Sequence, residues 1–174
     1  METPAYIYSG DELLSQAGPV KPEGKSMPAE PQKVDPEALF KELLEKIKSY
    51  TPTADLSVVV AAYEFAANAH REQKRFSGEP FIVHPLEVAK ILAELELDQE
   101  TLVAGLLHDV VEDTGVTLQD IREQFGVETA LLVDGTTKLS RIEYKSKEEL
   151  QAENLRKMFL AMAKDIRVIL IKLA

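Results

Sequence analysis

A chain of 174 residues, 45% of them hydrophobic, suits one domain with a buried core and a tail. Its 20 basic and 30 acidic residues leave a formal net charge of −10, which makes it a poor nucleic-acid binder unless its basic residues cluster. With no cysteine, the chain cannot form disulfides, thiolate zinc sites or a cysteine nucleophile. No apolar run reaches the length of a membrane span, and no basic start leads into an apolar stretch at the N-terminus. The default is a soluble, cytoplasmic protein with no membrane contact.

Residues 1–34 carry eight prolines and glycines, among them Pro4, Gly10, Gly18, Pro19 and Pro22, and no sustained apolar period. They read as a flexible, disordered tail, and residues 35–174 as the domain. Asp35-Pro36-Glu37 opens the first helix, with a capping acid, proline at the first helical position and acid in the first turn. Leu39, Phe40, Leu43, Leu44 and Ile47 follow at helical spacing. Thr51-Pro52 ends it. A second helix is predicted from about Ala54 to Lys74, with Val58, Ala61, Ala62, Phe65, Ala66 and Ala69 inward. Ser77-Gly78-Glu79-Pro80 is a turn. The next helix starts near His84-Pro85 and carries Val88, Ile91, Leu92 and Leu95. Asp98 caps a fourth, whose stripe of Leu102, Val103, Leu106, Leu107, Val110 and Val111 runs to Gly115. Thr117 and Asp120 have capping-box spacing before a short helix that Gly126 stops, and a further helix spans about Glu128 to Lys138. Ser140 to Ser146 is a polar loop. One last amphipathic helix holds Leu155, Met158, Phe159, Met162, Ile166, Ile169, Leu170 and Leu173. Nothing alternates like a strand for long, so the fold class is all-α.

The chemistry lies in the histidines and acids. His108-Asp109 sits on the fourth helix, where adjacent side chains diverge by about 100° yet can grip one ion from two sides. His84 is the natural third ligand. Imidazoles with a carboxylate suit Mn, Fe, Zn or Co. Glu112 and Asp113 follow His108 and Asp109 by four residues each, which stacks them on adjoining faces of the same helix. An acid beside an activated water can shuttle protons or hold an outer partner. A His-Asp pair alone is more often a hydrogen-bonded surface pair. His70, at a helix end among Arg71, Glu72 and Gln73, takes that reading. Lys138, Arg141, Lys145 and Lys147 are cations for an anionic substrate or simply a solvated basic loop.

Five blocks occur in order. They are Arg75-Phe-Ser-Gly-Glu-Pro-Phe-Ile-Val-His-Pro85, Leu106-Leu-His-Asp-Val-Val-Glu-Asp-Thr114, Leu132-Val-Asp-Gly-Thr-Thr-Lys-Leu139, Gln151-Ala-Glu-Asn-Leu-Arg-Lys-Met158 and Ala161-Met-Ala-Lys-Asp-Ile-Arg-Val-Ile169. Together they make the chain from about Ala54 onward resemble the hydrolase domain of the RelA/SpoT family. The resemblance implies an HD-type helical bundle that removes the 3′-diphosphate of guanosine tetraphosphate or pentaphosphate with manganese. It implies His84, His108 and Asp109 as metal ligands, and Glu112 and Asp113 as the acids serving the attacking water. It further implies Arg75 and Ser77 as nucleotide contacts, with the arginine against the guanine.

Two departures qualify this. Phe76 stands where relatives often carry a basic or polar residue. The family continues beyond the counterpart of Ala174 into Asp-Arg-Leu-His-Asn-Met-Arg, whose aspartate is a fourth ligand, so the sequence is expected to be a C-terminally incomplete domain that binds metal weakly and turns over slowly or not at all. The alternatives are an HD phosphohydrolase acting on another nucleotide and a non-catalytic regulatory or interaction module. Oligomeric state is not legible.

Overall fold

The computed structural model describes residues 34–140 and 164–174. The tail expected over residues 1–34 (Val34 apart) and the loop and helix start expected between 141 and 163 lie outside them. Seven helical segments occur among the described residues, with no strand beyond one antiparallel bridge between Lys74 and Pro80.

Helix α1 (Pro36–Tyr50) starts as its sequence dictates: the Asp35 carboxylate accepts from Glu37 N at 3.1 Å, and Phe40, Leu43 and Ile47 are buried. Helix α2 (Ser57–Ala69) is shorter than expected and rotated by about one residue. Val59, Ala62, Tyr63 and Ala66 are buried, whereas Val58 and Ala61 are exposed. Its sequence is apolar around most of the circumference, so periodicity could not fix the phase. Tyr63 fixes it. The ring stacks on Phe40 at 4.0 Å and its hydroxyl donates to the Glu37 carboxylate at 3.2 Å. Burial, then the negative charge of Glu37, push this phenol up to about 12.

Helix α3 (Val83–Glu94) buries Val83, Leu86, Val88, Ala89, Leu92 and Ala93, while Ile91 and Leu95, both expected inward, are exposed. Helix α4 (Gln99–Leu107) is capped by Asp98, whose carboxylate accepts from Thr101 N at 3.0 Å. Every residue from Thr101 to Leu107 is buried. A helix apolar on all sides belongs at the centre, and α4 packs against α2, α3 and the two helices that follow residues 117 and 165. Gly105 permits the α3 approach: a β-carbon there would lie 2.6 Å from Leu92 Cδ1.

The single helix expected through Val111 is broken. Helix α4 ends at Leu107, and α5 (Val110–Asp113) is a separate four-residue turn entered through Asp109. The His108 ring bonds the Gly105 carbonyl, which a regular helix would offer to the Asp109 amide. Helix α6 (Leu118–Ser140) begins with the reciprocal cap that the sequence predicts. Thr117 N donates to the Asp120 carboxylate at 2.8 Å, and Asp120 N donates to Thr117 Oγ1 at 3.2 Å. It bends at Gly126, whose φ of 89° is open to glycine.

Helix α7 (Ile166–Leu173) corrects the last expectation. Asp165 is extended (φ −158°, ψ 117°) and caps the new helix by accepting from Arg167 N, so the expected helix is interrupted at Asp165. The α7 backbone comes close to α6 at Gly135, where a β-carbon would meet Val168 Cγ2 at 2.7 Å. Arg167 ties α7 to Glu128 on α6 at 2.8 Å and to Asp98 at the start of α4 at 3.2 Å.

Candidate metal centre

The central helix delivers His108 to the interior. Its side chain is nearly covered, and its Nδ1 donates to the Gly105 carbonyl at 2.7 Å. That bond fixes the ring and leaves the Nε2 lone pair free to face outward from α4. Asp109, at the joint between α4 and α5, brings Oδ1 to within 3.1 Å of His108 Nε2 and Oδ2 to within 3.5 Å of His84 Nε2. His84 stands in the first turn of α3, its ring centroid 5.1 Å from that of His108 and nearly perpendicular to it. One donor atom from each of the three residues lies within 4.8 Å of the other two. Three ligands each about 2.1 Å from a common ion stand roughly 3–4 Å apart. The donor set therefore fits a divalent cation, with two imidazole nitrogens and one carboxylate.

The electrostatics prepare His84 and Asp109 in their ligating forms. Burial, with the neighbouring His108, Arg75 and Lys172, lowers the pKa of His84, against the pull of Asp109. Burial works to raise that of Asp109, but the adjacent His108, with His84 and Lys172, outweighs it and holds it below the usual carboxylate range. A neutral imidazole and an ionised carboxylate are what a cation requires.

The other expected site residues sit around this group and not within it. Glu112 is half-buried and Asp113 exposed, both on the α5 turn, and neither belongs to the converging set. Arg75 and Ser77 lie on the turn before α3, closed by Arg75 N donating to the Glu79 carbonyl at 2.9 Å. Ser77 Oγ donates to the Glu79 carboxylate at 3.1 Å, and Arg75 pairs with Glu79 at 3.4 Å and Glu87 at 3.6 Å. Phe76 projects fully into solvent between them. Lys138 pairs with Asp134 on α6, and Arg141, Lys145 and Lys147 lie outside the described residues.

Sequence reasoning missed three contributors. Lys172 was lost within an apolar helix, yet its charge reaches both His84 and Asp109. Gly105, three residues before His108, supplies the carbonyl that orients it, and a lone glycine in an apolar helix was the signal for it. His70 is not a surface residue: it is 2% exposed, stacked on Phe81 at 4.4 Å, with Nδ1 2.6 Å from Gln73 Oε1.

Residues 62–174 match the HD domain family. Among curated proteins, the chain is 53% identical over 136 residues to the bifunctional (p)ppGpp synthase/hydrolase SpoT of Escherichia coli K12, a match covering 78% of this chain and 19% of that protein. It is 55% identical over 131 residues to a GTP pyrophosphokinase of Myxococcus xanthus, covering 74% of this chain and 17% of that protein. The chain thus spans about a fifth of the length of these relatives. Among solved structures, it is similar to a metazoan ortholog of SpoT described as hydrolyzing ppGpp and acting in starvation responses, with TM-score 0.56, 33% identity, and coverage of 70% of this chain and 67% of that one. The RelA/SpoT resemblance read from the motif blocks is borne out, as is the helical HD-type fold.

Proposed function

Since the chain belongs to the HD domain family, we propose that it is the metal-dependent hydrolytic domain of a guanosine-3′,5′-bis(diphosphate) 3′-pyrophosphohydrolase. Water cleaves the 3′-diphosphate from guanosine tetraphosphate or pentaphosphate, releasing pyrophosphate and GDP or GTP. The observation that carries this reading is the convergence of His84, His108 and Asp109 beside the Arg75–Glu79 turn.

In this reading the three residues hold Mn²⁺. A divalent ion supplies Lewis acidity, bringing the pKa of water toward about 7 and offsetting the charge of the diphosphate. Glu112 and Asp113, one turn beyond Asp109, take the proton of the attacking water. Arg75 presents a planar cation for the guanine face, and Ser77 a hydroxyl for the nucleotide. Both must first leave Glu79, so nucleotide binding competes with the ion pairs of Arg75. Lys172 adds positive field on the side of α7. Such phosphoryl chemistry depends chiefly on position and charge, which a handful of residues can provide in an otherwise acidic protein. In this reading the activity is cytoplasmic.

The test is single-turnover incubation of excess protein with guanosine tetraphosphate and Mn²⁺, followed by separation of the nucleotides. GDP and pyrophosphate are expected, at a rate that drops to background on chelation. Preference for another nucleotide, or release that persists without a divalent ion, would overturn the assignment.

A further inference from the structure

Gln73 lies outside the donor triad, yet its bonds reach both of its halves. Its backbone carbonyl accepts from Phe81 N at 3.2 Å, three residues before His84, and its own N–H donates to the His70 carbonyl at 2.9 Å. The side-chain amide reaches the other way: Nε2 donates to the Asp113 carbonyl at 2.7 Å, while Oε1 faces His70 Nδ1 at 2.6 Å.

The direction of these bonds is fixed by chemistry. A backbone carbonyl only accepts, so the amide must turn its nitrogen to Asp113 and its oxygen to His70. His70 Nδ1 must then carry the proton. The His70 ring is itself immobilised, buried at the end of α2 and stacked on Phe81. At the far end lies α5, four residues long, whose last two amides both return to the Asp109 carbonyl. A turn that short has almost no stability of its own, and its terminal carbonyls have no partners within it. Gln73 supplies one.

We propose that His70 and Gln73 form a positioning relay that pins the α5 turn, and with it the carboxylates of Glu112 and Asp113, to the α2 terminus and the turn leading to His84. That these carboxylates serve the reaction rests on the pyrophosphohydrolase reading; the pinning of α5 does not. Neither relay residue belongs to the donor group of His84, His108 and Asp109. They act through Glu112 and Asp113, whose placement to within about 1 Å decides whether a proton can be taken from the attacking water.

The test uses the 174-residue chain in four variants. Gln73→Met removes both amide bonds at nearly constant length. Gln73→Glu keeps the acceptor facing His70 but sets a carboxylate against the Asp113 carbonyl. His70→Leu removes the donor to Gln73, and His70→Asn returns an N–H near the place of Nδ1. Hydrogen exchange of the amides of residues 112–114 is measured first. About a fivefold acceleration is expected in both Gln73 variants, the scale of one lost hydrogen bond, with a melting temperature lower by only a few degrees.

With guanosine tetraphosphate and Mn²⁺, kcat should fall about tenfold or more at nearly constant KM, as for lost partners of ligating groups elsewhere. His70→Asn should recover most of what His70→Leu loses. Unchanged exchange at 112–114 in Gln73→Met overturns the relay, and so does accelerated exchange with undiminished kcat. If turnover of the unmodified chain is too slow to measure, exchange at residues 112–114 alone decides the pinning, which stands apart from the pyrophosphohydrolase reading. Should Gln73→Met fail to fold, Gln73→Glu and the His70 pair give the same decision.

Discussion

His108 shows how much of this site depends on single bonds. Its residue type and its neighbour Asp109 were legible in the sequence, but the nitrogen that faces the metal position was not. The Gly105 carbonyl makes that choice by taking Nδ1 at 2.7 Å. His70 is the opposite case. Its charged neighbours suggested a surface position, because a helix end beside Arg71, Glu72 and Gln73 gives no hint that the chain turns back to cover the ring with Phe81. His84 carries a prediction of its own. Burial disfavours the charged imidazole, so His84 binds its proton less readily in the folded chain than in the unfolded one. As pH falls below the unfolded value, folding stability is lost, and the loss is complete once pH passes the lower folded value. Nuclear magnetic resonance titration of the His84 ring in metal-free protein should place its midpoint below 6.5; a midpoint at or above that value would refute the account of its surroundings.

At the scale of elements, caps read well and phases did not. Asp35, Asp98 and the Thr117–Asp120 box begin helices where the sequence placed them, because a cap is a local bond between a side chain and amides two or three residues away. The rotation of α2 and the break at Asp165 depend on distant partners: Phe40 for α2, and Glu128 and Asp98 for the Arg167 side chain that begins α7. The contact of α6 with α7 is similarly non-local, and it can be tested. Gly135→Ala gains about 1 kcal/mol of helix propensity, but its methyl would press into the β-branched Val168 in a packed interface, a cost of about 1–3 kcal/mol. Net destabilisation is expected in denaturant titrations. Adding Val168→Ala should relieve it, so the double variant loses less than the sum of the two single ones. Strict additivity would mean that the two backbones do not meet there.

For the whole molecule, the arrangement follows from burying α4. Because that helix is buried from Thr101 to Leu107, its neighbours pack around it, and polar groups leave the core at its ends. His108 occupies the C-terminal end, Asp109 follows at the break, and α3, packed on α4 through Gly105, contributes His84 from its first turn. A net charge of −10 on the chain favours a cation at such a spot, while Arg75 and Lys172 provide the local positive field that an anionic nucleotide needs. The triad as one cation site is the centre of this account. It is tested most directly by titrating the chain with Mn²⁺ and following the electron paramagnetic resonance signal of the free ion. One ion should bind per chain, with affinity at least about tenfold lower in Asp109→Ala and in His108→Ala, and unchanged in Asp120→Ala, which lies in the α6 cap. Equal affinity in Asp109→Ala and the unmodified chain, or no saturable binding at all, would contradict it.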